Sequence, residues 1–181
     1  HVDPVTYEVI RHNLWQINEE HGATIQRLSG SPVAMYALDL NPSILTEDAE
    51  FVYFGPYMQY MSGVTDTQVK WTLEHRSDNP GIREGDMFLA NDPWVGAAHQ
   101  QDVMLLCPVF WEGELFCWVT NCLHQYDIGG ITPGSFCPSA RDAYDEGILL
   151  PPVKIVEGDE IRRDIEEVYL RSSRKPSAVA L

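Results

Sequence analysis

One short unit, His-x-x-Asp, occurs twice, as His99-Gln100-Gln101-Asp102 and as His124-Gln125-Tyr126-Asp127. A neutral imidazole and an ionised carboxylate are ordinary ligands for a divalent ion, and a mixed nitrogen and oxygen set suits Zn, Mn or Fe without choosing among them. The same unit also serves as a hydrogen-bonded pair at strand ends, so its use depends on whether the fold gathers the copies. Between them lie two apolar runs, 103–110 and 115–123, that meet at Glu112-Gly113, a two-residue hairpin turn. With a regular ladder on that turn, Asp102 faces Leu123 and His124 faces Gln101. Directly opposed residues sit about 5 Å apart and diagonal ones about 7 to 8 Å. One hairpin therefore brings His99, Asp102, His124 and Asp127 to the same end, within reach of a single ion.

The elements that must position this hairpin can be read along the chain. Asp3-Pro4 is a helix start, with the carboxylate as N-cap and proline at the first helical position. Ile10, Leu14, Ile17, His21, Ile25 and Leu28 recur every three or four residues and predict one long helix over 4–28. His21 on that stripe is expected as a buried, hydrogen-bonded histidine. Ser29-Gly30-Ser31-Pro32 ends the helix. Strands are expected at 33–38 and 50–54 with a turn region at 39–48 between them, and Asp39 closes the first as a turn former that could also project into a site. A Tyr- and Met-rich loop covers 55–63. Thr65-x-x-Gln68 matches a capping box for a helix over 66–76. A short strand at 87–90 leads into Asn91-Asp92-Pro93, a turn starter. After the hairpin come the glycine-rich loop 129–135, an edge strand or extended segment at 148–156 interrupted by Pro151-Pro152, and a final helix through Ile161, Ile165, Val168 and Tyr169. The fold class is α+β: a mixed or antiparallel sheet around a central β-hairpin that carries the metal site, with a long amino-terminal helix and peripheral helices.

Acidic residues outnumber basic ones by 27 to 12, for a net charge of −15. Phosphate binding needs the opposite sign, so nucleic acid and anionic membrane are disfavoured partners. The apolar runs are broken well short of the roughly 18 positions a membrane span needs. Hydrophobic content of 44% in 181 residues supports a single packed domain, and the expected compartment is cytoplasmic. Cys107, Cys117, Cys122 and Cys137 form no C-x-x-C pair and are expected as buried free thiols. No Gly-Lys-Ser or Gly-Lys-Thr occurs, so nucleotide phosphates are not held by a P-loop of this chain.

With these residues in view, the chain resembles the hydantoinase B / 5-oxoprolinase family, which includes the corresponding subunits of ATP-dependent acetone and acetophenone carboxylases. The resemblance runs from Asp3-Pro4-Val5-Thr6 through Asn91-Asp92-Pro93, Gly96, His99-x-x-Asp102, His124, Asp127 and Gly129-Gly130. It continues through Thr132-Pro133-Gly134-Ser135, Glu146-Gly147 and Pro151-Pro152-Val153-Lys154 to the final helix. Family members are longer, so residues 1–181 are expected to be the amino-terminal metal-binding section of such a subunit.

The resemblance implies a divalent metal, Zn or Mn, held by Asp39, His99, Asp102 and His124. It leaves Asp127 as a catalytic group that orients His124 or relays a proton. It also implies a hydantoinase A-type partner subunit that binds ATP and Mg, a hetero-oligomer, and bicarbonate as co-substrate. Ala37-Leu38 stand where hydrolase members often carry two basic residues, and Tyr60-Met61-Ser62-Gly63 where they tend to carry a histidine. Phe110–Leu115 and Asn79-Pro80-Gly81 look more like the ketone carboxylases. The expected function is carboxylation of an acetone- or acetophenone-like ketone. The alternatives are ATP-dependent opening of a lactam, 5-oxoproline or hydantoin ring, and an assembly subunit with a closed metal site.

Overall fold

A computed structural model of the chain describes residues 2–179. The first helix, α1, spans Pro4–Leu28 as the sequence predicts. Asp3 Oδ1 accepts from the backbone N–H groups of Val5 and Thr6, each at 3.1 Å, satisfying two donors that the helix leaves open. The buried face of α1 matches the expected stripe only in part, with Leu14, His21 and Ile25 half-buried on it. Asn18 and Gly22 are buried, while Ile10, Ile17 and Leu28 are exposed. The cause is Gly22: any side chain there would run into the Tyr57 ring, so the absence of one lets α1 lie close against the sheet. His21 is half-buried, and its buried Nδ1 has no partner, contrary to the expected hydrogen-bonded histidine.

Seven strands form one sheet in the order β2-β1-β5-β4-β3-β6-β7, and every pairing is antiparallel. They are β1 (Leu40–Thr46), β2 (Phe51–Phe54), β3 (Met87–Ala90), β4 (Asp102–Trp111), β5 (Glu114–His124), β6 (Val153–Glu157) and β7 (Glu160–Ile161). The central hairpin is β4-β5. Glu112 and Gly113 both take positive φ, at 52° and 86°, as a two-residue turn of this hand requires.

Two expectations upstream fail together. Residues Pro32–Ala37 form a short helix, α2, instead of a strand, and the expected turn region at 39–48 holds β1. Pro32 opens α2, and Leu38 leaves it in the left-handed conformation. Asn41, Pro42 and Ser43 look like turn residues, yet all three lie buried inside the sheet. Ser43 and Thr120 share a hydroxyl–hydroxyl bond of 2.6 Å there, which is how a polar pair is accommodated in a core strand.

Helices cover both faces. On one face α3 (Gln59–Ser62) and α4 (Thr65–Arg76) bring Met61 and Val69 onto Leu45, Phe88, Met104 and Trp118. The other face carries α1, α5 (Arg163–Arg171) and α6 (Pro176–Val179), with Tyr169 and Val179 packed against Leu89, Val103 and Ile155. The capping box is not formed. Thr65 is already inside α4 and its hydroxyl donates to the Met61 carbonyl at 3.1 Å, while Gln68 Nε2 reaches the Asp92 carbonyl at 3.3 Å. Of the passage 148–156 only the part from Val153 joins a strand, β6, and it lies between β3 and β7 rather than at the sheet edge. All four cysteines are free thiols; Cys122 is buried and the others half-buried. Among the described residues no helix is long and apolar enough to cross a membrane.

Candidate metal centre

The β4-β5 ladder starts from the turn as expected, with Trp111 opposite Glu114 and Phe110 opposite Leu115. An irregularity then intervenes between Val109 and Phe110. Phe116 is the extra residue, so from Val109–Cys117 onward every pair is displaced by one. Asp102 therefore faces His124 directly, not Leu123. Because side chains alternate between faces, the regular ladder would have sent Asp102 and His124 to opposite sides of the sheet. The bulge puts them on the same side.

The neighbouring strand adds a third group. β1 pairs with β5 through Leu40–Leu123, and the His124 N–H donates to the Asp39 carbonyl at 3.0 Å, one step beyond that pair. Asp39, His124 and Asp102 thus form a row across three adjacent strands. His99 joins from the turn before β4, which the Asp102 N–H closes onto the His99 carbonyl at 3.1 Å.

Within this group His99 Nε2 is 3.0 Å from Asp102 Oδ1. His124 Nδ1 is 3.3 Å from Asp39 Oδ2 and 3.5 Å from Asp102 Oδ1. One ligand atom from each of His99, Asp102 and His124 lies within 4.8 Å of the others. Despite this proximity, Asp39 Oδ1, both Asp102 oxygens and His124 Nδ1 are buried without an aligned hydrogen-bond partner. Atoms held about 2.0–2.1 Å from a tetrahedral ion stand roughly 3.3–3.4 Å apart, so the observed spacings fit lone pairs converging on a common point. Two carboxylates also balance the charge of a divalent ion.

The His124 tautomer fits as well. Its Nε2 lies 2.7 Å from the Ser135 carbonyl, which can only accept, so Nε2 carries the proton and Nδ1 presents its lone pair to the two carboxylates. Burial works to raise the Asp102 pKa, but hydrogen bonds and charge from the protonated forms of the His124 and His99 rings outweigh it and hold the group below the usual carboxylate range, a role that a cation facing the same lone pairs would take over. For Asp39 burial prevails and the pKa rises. Burial opposes a charge on His99, yet Asp102, Glu146 and Asp39 together raise its pKa.

Asp127 stands apart from this group. Its carboxylate accepts from the N–H groups of Gly129 at 2.8 Å and Gly134 at 3.1 Å, and from Arg174 Nη1 at 3.2 Å. It thereby ties down the loop that delivers the Ser135 carbonyl to His124. Gly129 has φ 91° and no room for a side chain beside the Ser172 carbonyl, which accounts for a glycine at that corner.

Other participants were not evident in the sequence. The Ser31 hydroxyl donates to the His124 carbonyl at 2.8 Å. Asn91, expected only to start a turn, donates through Nδ2 to the carbonyls of Gln100 at 2.7 Å and Ile148 at 2.9 Å, and accepts from the Leu150 N–H at 2.7 Å. Phe136, half out in solvent, places its ring 4.8 Å from that of His124 and 6.2 Å from that of His99.

The structure is thus an antiparallel sheet with helices on both faces and, at one end of its central hairpin, a buried cluster of imidazoles and carboxylates of the type that could hold a metal ion. The chain belongs to the hydantoinase B/oxoprolinase family, whose model matches residues 3–181. It is 34% identical over 77% of its length to the acetophenone carboxylase delta subunit of Aromatoleum aromaticum, of which it covers 20%. It is 31% identical over 96% of its length to the caprolactamase subunit beta of Pseudomonas jessenii, covering 29% of that protein. The fold matches a nucleotide-free structure of acetone carboxylase with a TM-score of 0.91 at 24% identity, over 96% of this chain and 23% of that one. The chain spans a third or less of the length of the curated relatives it matches.

Proposed function

We propose that this chain is the metal-bearing section of an ATP-dependent enzyme acting on the carbonyl group of a small molecule, and that the reaction is carboxylation of a ketone. The observation that carries the metal reading is the set of buried carboxylate oxygens and one imidazole nitrogen left without donors at the end of the hairpin. Asp39, His99, Asp102 and His124 would hold the ion, Zn or Mn, and a bound divalent ion supplies Lewis-acid stabilisation of a developing enolate or alkoxide. Of the four, His99 has the most exposed side chain, at 28% against 14% for Asp39 and 1% for Asp102 and His124. Substrate therefore approaches past His99. Asp127 acts as a positioning residue, holding the loop that fixes the ring of His124. ATP is handled by a hydantoinase A-type partner in a hetero-oligomer, with bicarbonate as co-substrate, in keeping with the lack of a P-loop here.

Support for carboxylation comes from the similarity to the acetophenone carboxylase subunit. Ring opening of a cyclic amide is the second reading, supported by the similarity to caprolactamase. Incubating the full complex with ATP and labelled bicarbonate separates them: a carboxylase fixes label into an acid, and a hydrolase yields a ring-opened amino acid. His99→Ala and His124→Ala, assayed for metal content and turnover, test the site. Full activity in a metal-free variant would exclude it.

A further inference from the structure

Two highly exposed aromatic rings line one groove. Trp94 is 74% exposed and Tyr144 86%, and with Asp92, Gly147 and Leu149 they bound an open space of about 560 Å³. Each ring stands on a single turn pinned by an aspartate: Asp92 Oδ1 accepts from the Trp94 N–H at 2.8 Å, and Asp142 Oδ1 from the Tyr144 N–H at 3.0 Å. The two walls are braced against each other. Asn91, next to Asp92, donates to the Ile148 carbonyl at 2.9 Å and accepts from the Leu150 N–H at 2.7 Å, while Gln100 Nε2 donates to the Gly147 carbonyl at 3.0 Å. The backbone of the groove is therefore set before anything occupies it, which lowers the ordering cost of binding.

Exposure and charge decide what fits. A small-molecule pocket buries most of its ligand, and rings this open cannot enclose one. Their faces call for a surface that covers them from outside, and Trp and Tyr are the residues that carry much of the energy at protein–protein contacts. The charge around them is negative: Asp92 lines the groove, and Asp142 and Glu146 stand two residues before and after Tyr144. The neighbouring cation, Arg141, is taken by Asp145 at 2.8 Å. A cation is attracted to ring faces and carboxylates alike. A flat guanidinium does this better than an ammonium, because it stacks on rings and pairs with a carboxylate through two parallel N–H groups.

We infer that the groove between Trp94 and Tyr144 is a docking site for a partner polypeptide, which lays an arginine side chain between the two rings with Asp92 as its counter-charge. The position suits a subunit that works with the metal centre. Glu146 lines a cavity beside His99, its neighbour Gly147 lines the groove, and Gln100, which holds the Gly147 carbonyl, adjoins His99. A partner seated here abuts the segment that also bounds that cavity.

This inference takes from the proposed function only the hetero-oligomer, not the metal, and the experiment keeps the two apart. The full-length subunit is titrated with its ATP-binding partner subunit in a calorimeter. Trp94→Ala and Tyr144→Ala are each expected to weaken assembly about tenfold, with melting temperature and cobalt(II) uptake unchanged because both rings are mostly exposed. Tyr144→benzoylphenylalanine, irradiated in the complex, should cross-link to the partner subunit beside an arginine. Replacing that arginine by glutamine should weaken assembly about tenfold with the unaltered subunit and about twofold or less with Trp94→Ala, since both changes remove the same contact. Assembly within about twofold of normal for both ring variants, a cross-link to a segment without arginine, or a cross-link to a second copy of this chain would overturn the docking site. The absence of any hetero-oligomer in the unaltered protein would overturn it together with the partner reading. A complex that takes up no cobalt yet shows the same losses would support the docking site and remove the metal reading alone.

Discussion

Replacing Asp127 by Asn separates positioning from mere packing. Each Asp127 oxygen accepts from one backbone N–H, Oδ1 from Gly129 and Oδ2 from Gly134, and both lie 3.2–3.3 Å from Arg174. An asparagine keeps one acceptor and turns an NH₂ group toward the other backbone donor, so one of these bonds is lost together with the ion pair. Bonds to a charged acceptor contribute about 1.5–3 kcal/mol. Arg174 is exposed, so its share is under about 1 kcal/mol. Asp127→Asn is therefore expected to destabilise by about 2–3 kcal/mol.

A purely structural role would stop there. Because the loosened loop also carries the Ser135 carbonyl, metal affinity should fall about 10- to 100-fold, as it does when groups that orient a ligand are removed. The assay is chelator competition at fixed temperature beside a thermal melt, repeated across pH. Burial works to raise the Asp127 pKa, but the Gly134 and Gly129 N–H groups and Arg174 outweigh it and hold it below its ordinary value. Its folded pKa thus lies under its unfolded one. The stability it contributes is fully present above about pH 4 and is lost as pH falls through the folded pKa. The deficit of the Asn variant should therefore be flat from pH 5 to 8 and shrink below pH 4. A variant with the lower melting temperature but metal affinity within twofold of the unaltered protein would refute the positioning argument.

Three further outcomes are expected. Asn91→Ala strands the Leu150 N–H and the Gln100 carbonyl and leaves the Ile148 carbonyl with Gln100 Nε2 as its remaining donor, and should cost about 2–4 kcal/mol in denaturant unfolding, more than an ordinary turn residue would. Lys154 Nζ lies 2.7 Å from Asp86 Oδ2 with both side chains 1% exposed. Lys154→Met leaves that carboxylate buried without its countercharge and should destabilise by about 3–5 kcal/mol, measurable by the same unfolding experiment. Chelation at neutral pH should lower the melting temperature of the unaltered protein, and Asp102→Asn should abolish that shift.

How far the site was legible turns on a few residues. His99, Asp102 and His124 were legible because one hairpin between two His-x-x-Asp units is a local event, set by a turn type and two apolar runs. Asp39 was less legible, because at the end of an apolar run it reads first as a turn former and only second as a group projecting into a site, and Asn41-Pro42-Ser43 carries turn chemistry that burial in the sheet overrides; the family resemblance is what raised it to a ligand. Phe136 carries no spacing signal at all, since its placement beside His124 and His99 depends on a loop held by contacts to distant segments. The register is the sharpest case. The turn at Glu112-Gly113 was right, and extrapolating it regularly was wrong by one residue, because a bulge is a local irregularity that no hydrophobic alternation announces. That shift of one decides which face of the sheet each side chain takes. In the unbulged ladder Asp102 and His124 point to opposite faces and share no ion, whereas Phe116 as an extra residue brings Asp102 opposite His124 and in line with Asp39. Deleting Phe116 should regularise the hairpin near its turn while leaving Asp102 opposite His124, so metal uptake should survive. Inserting one alanine after Cys122 should turn His124 off that face and abolish uptake in a chain whose core strands still fold. Retention of stoichiometric metal by the insertion variant would show that the β4-β5 register does not govern the site.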